Sequence, residues 1–391
     1  MSSTGSPKND IPLLFRPLTL RGIQTRNRVV ISPMCQYSAH EGQLDDWHVV
    51  HLGRFAIGGA GIVFTEATAV QKGGRITHGC AGLWCDSQIP IHGRIAQFAL
   101  RNGAIPAIQL GHAGPKGGMQ RPWYGNGPLN KADFERGDMP WAPVGPSEIP
   151  VADGWPVPHA LSTSEIKNLI EDYVAAAQRA LAAGYKIAEV HGAHGYLVHS
   201  FLSPLSNNRT DEYGGNLENR MRLALEITQA VRAVWPADLP LFFRTSAVDG
   251  VPAGWSLDDT VILARAMKAV GVDVIDCSSG GIAGPATAAH GQKRQPGFQV
   301  GYSETVGKDA DIATMAVGLI THARQAENIL GQGHADLIAI GREALVNPMW
   351  AVHAAQALGF DADFETWPEQ SRWWLASRRQ TSDLYVAVDD S

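Results

Sequence analysis

Eight short apolar runs recur along this chain, each followed by a stretch with helical punctuation. They are RVVISPM (28–34), GIVFTEA (61–67), IPAIQL (105–110), IAEVHGA (187–193), LPLFFRTS (239–246), VDVIDCSS (272–279), ATMAVGLI (313–320) and ADLIAIGR (335–342). The runs are almost continuously apolar instead of alternating, as strands covered on both faces should be. Eightfold alternation of such strands with helices points to an α/β fold, a (β/α)8 TIM barrel. An open doubly wound sheet is the alternative. No run is followed by a full G-x-G-x-x-G fingerprint, which favours the barrel. A prior of ~150 residues per domain suggests two or three domains, but a barrel absorbs such a length as one.

The helices carry their own signals. Ser162 and Glu165 form a capping box, followed by an apolar stripe of Ile166, Leu169, Ile170, Tyr173 and Val174, and Gly184 stops the helix. Ser256 with Asp259, and Gly271 before VDVID, repeat the grammar. A further helix is expected from near Thr321 to Gly331–Gly333. Two segments depart from the simple unit. Residues 111–160, after strand three, are rich in Gly, Pro and Trp and are expected to form a lid on the catalytic face. Residues 197–216 form a second long loop, and the tail after 360 lies outside the eight units.

The 42 glycines exceed the usual ~7% without any G-X-Y period, so they mark tight turns and close backbone approaches. A net charge of -6 argues against a nucleic-acid binder. No stretch approaches the ~20 apolar residues of a membrane span. The start, MSSTGSPKNDIP, has no apolar signal-peptide core, and four cysteines make no disulfide framework, so the expected location is the reducing cytoplasm. Cys80 and Cys85 read as ordinary buried residues and not as a zinc pair.

In a barrel, chemistry collects at the C-terminal strand ends. Here these carry Pro33, Met34, Cys35 and Tyr37; Glu66 and Ala67; Gln109 and His112; His191, His194 and Tyr196; Arg244; Ser278–Gly281; Gly318; and Gly341 with Arg342. No carboxylate triad appears, so no metal is expected. His191-Gly-Ala-His194-Gly-Tyr196 is the densest cluster. Two imidazoles can hold an oxygen that gains negative charge, and a phenol beside them can donate a proton. In a straight strand the two histidines would face opposite ways, so the backbone must turn between them. One packed and one exposed histidine is an equal alternative, and zinc a lesser one that lacks a third ligand. Arg244 ends an apolar strand, where an unpaired charge is expensive, so an anion partner is expected. Gly318, Gly341 and Arg342 occupy the barrel's frequent phosphate position.

Taken together, these residues resemble the Old Yellow Enzyme family of FMN-dependent ene-reductases. The likeness runs from Leu14 to about residue 350, through LFRPLTLRGIQTRNRVVISPMCQYSA, Trp47, HLGRFAIGGAGIVFTEATAV, AIQLGHAG, EVHGAHGYLVHSFLSPLSNNRTDEYGGNLENRMRLALE and LIAIGREALVNP. SPLSNNRTDEYGGNLENR is the most specific stretch, and Cys35-x-Tyr37 is similar to the thermophilic-like subclass. The resemblance implies an N-terminal hairpin and non-covalent FMN at the barrel mouth. Ser32, Pro33, Met34 and Cys35 would line one flavin edge, with Ala67 and Gln109 at the pyrimidine ring. Arg244 would lie by N1/O2, and Gly318, Gly341 and Arg342 would take the phosphate. His191 and His194 would hold the substrate oxygen, Tyr196 would donate the proton, and Tyr37 would be a further substrate contact. Cys35 would tune the flavin and not act as a nucleophile.

The implied activity is NADPH- or NADH-driven reduction of α,β-unsaturated ketones, aldehydes, imides or nitroalkenes. Residues 1–360 would form one FMN-binding barrel, with 361–391 as a tail. A homodimer or homotetramer is implied, with Trp374 (or Trp373, or Arg372) entering a neighbouring site. Packing of both Trp onto their own barrel is the alternative. Pro115-Lys116 departs from the family's Arg-Lys, which questions that loop's substrate contact. A dienoyl-CoA reductase-like barrel and a non-catalytic flavin-binding or stress-response protein are the other readings. The first would carry an iron–sulfur cysteine cluster, and the second would not need His191, His194 and Tyr196 together.

Overall fold

The computed structural model describes residues 11–284 and 294–380. Among them, eight parallel strands close into a barrel: β1 (Val29–Ile31), β2 (Ile62–Ala69), β3 (Ile105–Gly111), β4 (Ile187–Gly192), β5 (Leu241–Ser246), β6 (Val274–Ser278), β7 (Ala313–Ala316) and β8 (Leu337–Ile340). Each is one of the eight apolar runs, and sequence neighbours pair throughout, with β8 closing on β1. Inward side chains, among them Ile62, Phe64, Ala107, Ile187, Phe242, Val274, Met315 and Leu337, fill the lower barrel. Outward side chains pack beneath the helices. Burying one such Leu, Ile or Phe contributes roughly 1.5–3 kcal/mol.

The helices follow the signals in the chain. Helix α1 (Asp46–Ile57) and α2 (Ile89–Arg101) flank β2 and β3. Helix α3 (Thr163–Ala182) starts at the Ser162–Glu165 capping box, and Ile166, Leu169 and Tyr173 are buried. Ile170 and Val174 lie half-buried at the edge of the stripe. Helices α4 (Leu217–Val234), α5 (Leu257–Ala269, capped by Ser256), α6 (Val300–Ala310), α7 (Ala323–Gly331) and α8 (Trp350–Ala357) complete the ring. Gly184 and Gly271 sit at φ 94° and 96° just beyond helix ends, conformations that glycine adopts freely.

An antiparallel hairpin, Leu18–Leu20 with Ile23–Thr25, closes the lower mouth by placing Leu20 against the interior cluster. The opposite mouth is left for the long segments. Residues 111–160 are not structureless: they hold 3-10 turns at Gly114–Lys116 and Pro122–Tyr124, a helix at Lys131–Glu135 and a bridge of Val144–Gly145 to His159–Ala160. The tail forms a helix, Glu369–Gln380. No helix among the described residues is long and apolar enough to cross a membrane.

Candidate active site

The turn after β4 decides whether the two histidines meet. His194 and Gly195 both adopt left-handed backbone, φ 63° and 71°. A Cβ at Gly195 would lie 2.1 Å from the Gly281 carbonyl oxygen, and one at Gly192 would lie 2.2 Å from the Phe243 ring. Both positions therefore need glycine. The strained turn is held from three sides. The His194 N–H donates to Ser246 Oγ at 2.9 Å, and Lys116 Nζ donates to the His194 carbonyl at 2.7 Å and also to that of Gly281. The Gly195 N–H donates to His199 Nδ1 at 2.7 Å. Behind His199 stands the fully buried Asp249, 3.0 Å from Nε2 but off the axis of a straight hydrogen bond.

The result is a compact aromatic triplet. Ring centroids are 5.2 Å apart for His191 and His194, 5.1 Å for His191 and Tyr196, and 6.4 Å for His194 and Tyr196. Burial, reinforced by the Arg244 charge, holds both histidines well below the ordinary imidazole range, so they are neutral. The Ala193 N–H points at His191 Nδ1 at 3.3 Å, which leaves the ring proton on Nε2. Ser278 Oγ lies 2.7 Å from His194 Nε2 and accepts from Gln299. Its hydroxyl proton is then free to go to Nε2, which makes Nδ1–H the donor that His194 offers. Burial pushes the Tyr196 and Tyr37 hydroxyls and the Cys35 thiol well above their usual ranges, so all three stay protonated. A protonated, buried thiol is a poor nucleophile.

The barrel mouth below them is polar. Gln109, Glu189, Arg244 and Asp276 all point into the barrel and are buried. Arg244 Nη1 reaches Ser32 Oγ at 3.4 Å, and its Nε has no hydrogen-bond partner. A β-bulge in β2, between Thr65 and Ala67, brings Ala67 opposite Gln109. It also frees Glu66 to accept the Gln36 N–H at 3.1 Å, which braces the loop carrying Cys35 and Tyr37. Tyr37 itself is left-handed, φ 52°. Beside the mouth, a cavity of about 140 Å³ is lined by Gln299, Gly318, Leu319, Gly341 and Arg342. A Cβ on Gly341 would meet nothing nearer than Met34 Sδ at 4.0 Å, so this glycine leaves a cradle that no protein atom fills. An inward guanidinium, already ion-paired with Asp276, an inward amide and a glycine cradle beside an Arg fit a flavin's pyrimidine ring and phosphate. Ser32, Pro33, Met34 and Cys35 follow β1 at the same mouth, with Pro33, Met34 and Cys35 half-buried.

Other residues stand differently from their sequence reading. Cys85 is only half-buried, because it sits at the start of a surface 3-10 turn. Cys80 packs beside Cys35, Tyr37 and Tyr196. His112 lines a cavity with His191 and Tyr196, but both its ring nitrogens are engaged, Nδ1 accepting the Gly114 N–H and Nε2 bonding Gln71. Trp373 and Trp374 are about two-thirds exposed and do not pack on their own barrel. The sequence marked Lys116 only as a departure from the family's Arg-Lys, with no bracing role, and gave no role to His199, Asp249, Glu189 and Asp276. Glu189 and Asp276 were findable, being two residues before His191 and Ser278 on strands of period two. Nothing local marks the bracing role of Lys116 or Asp249.

Comparison with known proteins gives relatives along the whole barrel. A family model, NADH:flavin oxidoreductase / NADH oxidase, matches residues 13–360. The NADPH dehydrogenase of Geobacillus sp. (strain WCH70) is 43% identical over 349 residues, 89% of this chain and 95% of that protein. The NADPH dehydrogenase of Bacillus cytotoxicus is 43% identical over 350 residues, 89% of this chain and 93% of that protein. Morphinone reductase in complex with tetrahydroNAD has a TM-score of 0.72 at 25% identity, covering 93% of this chain and 94% of that one. A 2-naphthoyl-CoA reductase complex shares the fold, with a TM-score of 0.78 at 24% identity over 90% of this chain. This chain spans only 53% of its length.

Proposed function

The chain belongs to the NADH:flavin oxidoreductase / NADH oxidase family, an FMN-dependent oxidoreductase with NAD(P)H as reductant, and from that premise we propose that it reduces activated C=C bonds. The substrates are α,β-unsaturated ketones, aldehydes, imides or nitroalkenes. The observation that carries this reading is the convergence of two neutral imidazole donors and a protonated phenol at one point of the barrel mouth.

When bound, FMN supplies the hydride that it has taken from NAD(P)H. Arg244 and Gln109 would hold its pyrimidine side, and Gly318, Gly341 and Arg342 would hold its phosphate. His191 Nε2–H and His194 Nδ1–H grip the substrate oxygen, drawing electron density onto it and leaving the β-carbon electron-poor. Neutral imidazoles suit this task, since they stabilise developing charge without surrendering a proton. Tyr196 keeps its phenolic proton until a basic α-carbon forms, then gives it up there. Tyr37 would flank the substrate, and Cys35 would lie against the flavin as a neutral thiol. The segment 111–160 closes over the site as a lid.

A homodimer or homotetramer belongs to the same reading. Trp373 and Trp374, with ring centroids 4.6 Å apart on the tail helix, present an apolar face that water leaves unsatisfied. Trp374 is the candidate to reach a neighbouring site.

The test is direct. The purified protein releases FMN on denaturation and oxidises NADPH in the presence of cyclohexenone. His191→Ala and His194→Ala each lower turnover by ~10²–10³, as loss of one oxyanion donor does elsewhere, while FMN content stays the same. Unchanged cyclohexenone turnover in both variants would remove the roles assigned here.

A further inference from the structure

The lid keeps two aromatic rings in the open that the mechanism above does not use. Trp123 and Tyr124 form a 3-10 turn at the tip of a loop closed at its base by the bridge between Met119 and Pro128. They are 58% and 44% exposed, which forfeits the stabilisation that burying such rings brings. The turn is nevertheless held firmly. The Gln120 N–H donates to the Gly127 carbonyl at 2.8 Å, and Gln120 Nε2 donates to the buried Asp133 at 2.6 Å. A Cβ on Gly125, at φ 136°, would lie 2.3 Å from Gln120 Oε1, so glycine is required there. Arg136 pairs with Asp133 and lies over the Tyr124 ring, 3.9 Å from its centroid.

Tyr37 joins this turn to the active site. Arg121 pairs with Asp138 at 2.7 Å, and its Nε donates to the Tyr37 carbonyl at 3.3 Å, tying the lid to the loop after β1. Trp123 stands edge-on to Tyr37, with ring centroids 6.1 Å apart and planes at 74°. Tyr37, and Trp155 from the lid, pack against the apolar cluster that contains Met119 and Tyr196. An aromatic ledge therefore leads from Tyr196 through Tyr37 out to Trp123. Arg121 and Arg136 each face a carboxylate, so the ledge suits an uncharged group. A ring already fixed in place loses little further freedom when a ligand stacks on it.

We propose that Trp123 and Tyr37 form an outer subsite for a flat, uncharged aryl group of the substrate, which makes aryl-substituted C=C compounds the preferred class. The proposal rests on the ene-reduction reading: His191 and His194 hold the oxygen end, and the ledge receives the far end. Trp123 is then a specificity-determining residue and takes no part in hydride or proton transfer. The occupant is substrate and not the tail of a second copy, because the turn is built onto Tyr37 itself, through the Arg121 hydrogen bond and the ring contact, beside the cluster that holds Tyr196.

The experiment compares β-nitrostyrene with 1-nitropropene, which share the acceptor and differ by an aryl group against a methyl. NADPH-driven reduction of each is measured in the FMN-loaded wild type, Trp123→Ala and Trp123→Phe. Taking the ratio within each variant cancels the intrinsic reactivity of the two alkenes. An aromatic pair of this kind contributes about three- to tenfold in affinity. The kcat/KM ratio of nitrostyrene to nitropropene should fall by about that factor in Trp123→Ala, through KM and not kcat, and return in Trp123→Phe. Binding should report the same without turnover: the affinity ratio of 4-phenylphenol to phenol, read from the flavin absorbance, should fall in Trp123→Ala by a similar factor. A ratio unchanged in either measurement overturns the inference. So does an equal loss for both nitroalkenes, which makes Trp123 a brace of the lid. A lowered oligomer mass with the ratio unchanged also overturns it, and seats the tail of a second copy on the ledge. A wild type that reduces neither nitroalkene fails together with the reading beneath it, whereas reduction of both with a ratio indifferent to Trp123 refutes the subsite alone.

Discussion

Asp249→Asn is the sharpest probe of how the catalytic turn is held. Asp249 Oδ2 accepts from Ser203 Oγ and from the Trp255 N–H, each at 2.7 Å, while Oδ1 faces His199 Nε2 at 3.0 Å. His199 Nδ1 in turn accepts the Gly195 N–H at 2.7 Å, so its ring proton must sit on Nε2, towards the carboxylate. Asparagine has one carbonyl oxygen for these two directions. If that oxygen serves Ser203 and Trp255, the NH2 faces His199 and forces the ring proton to Nδ1, where it opposes the Gly195 N–H. If it serves His199, the NH2 opposes the Trp255 N–H. Either way a buried donor is orphaned, which costs about 1–3 kcal/mol. In the first case the loss falls on a turn whose non-glycine left-handed residue, His194, already stores on the order of 1–3 kcal/mol. Relaxation of that turn would move His194 and Tyr196 out of register with His191.

The expected outcome is a 10- to 100-fold loss of phenol affinity, roughly 1.4–2.8 kcal/mol, in the FMN-loaded protein, read from the flavin absorbance. FMN content should hold, because the cavity proposed for its phosphate lies on the far side of the barrel mouth, at β7 and β8. Stability should respond to pH with a definite sign. Burial pushes Asp249 up, but His199, Ser203 and the Trp255 N–H together pull it below the usual carboxylate range. A depressed carboxylate stabilises the fold above its unfolded pKa, and that contribution is lost as pH falls through the folded value. The Tm gap between wild type and variant should therefore narrow in acid. Phenol affinity within about twofold of wild type, with only Tm lowered, would show that the pair supports the fold and not the turn.

Three further outcomes are expected. Tyr196→Phe should slow the alkene half-reaction by ~10²–10⁴ and leave reduction by NADPH comparatively intact in stopped-flow traces; equal slowing of both contradicts a proton donor. Gly341→Val should fold, since its cradle is clear of protein atoms, yet purify with at least about tenfold weaker FMN affinity by fluorescence titration; retained affinity places the phosphate elsewhere. Trp373→Ala with Trp374→Ala should lower the oligomer's mass in light scattering, and an unchanged mass would put the interface on another face.

Much of the architecture was legible because its causes are local. Continuous apolar runs need cover on both faces, and Ser162 and Ser256 announce their helices within one turn. Strand ends then followed, and with them His191, Arg244 and Gly341. Even the helix expected from Thr321 differs from the observed Ala323 start by only two residues.

What the sequence by itself could not decide is which of those strand-end groups meet, and what holds them. A bulge between Thr65 and Ala67 shifts a whole face, yet the strand reads as unbroken. The convergence of His191 and His194 depends on a left-handed turn braced by Lys116, Ser246 and His199, which come from three separate segments. Lys116 stands in the segment expected to form a lid, and it is fully buried because two backbone carbonyls converge on its ammonium. The tail tryptophans show the converse: their apolarity is plain in the chain, while their exposure belongs to the folded surface. Patterning chose the barrel because it reports burial one residue at a time. The site was decided by tertiary structure, because hydrogen bonds and strained turns are properties of groups brought together from distant positions.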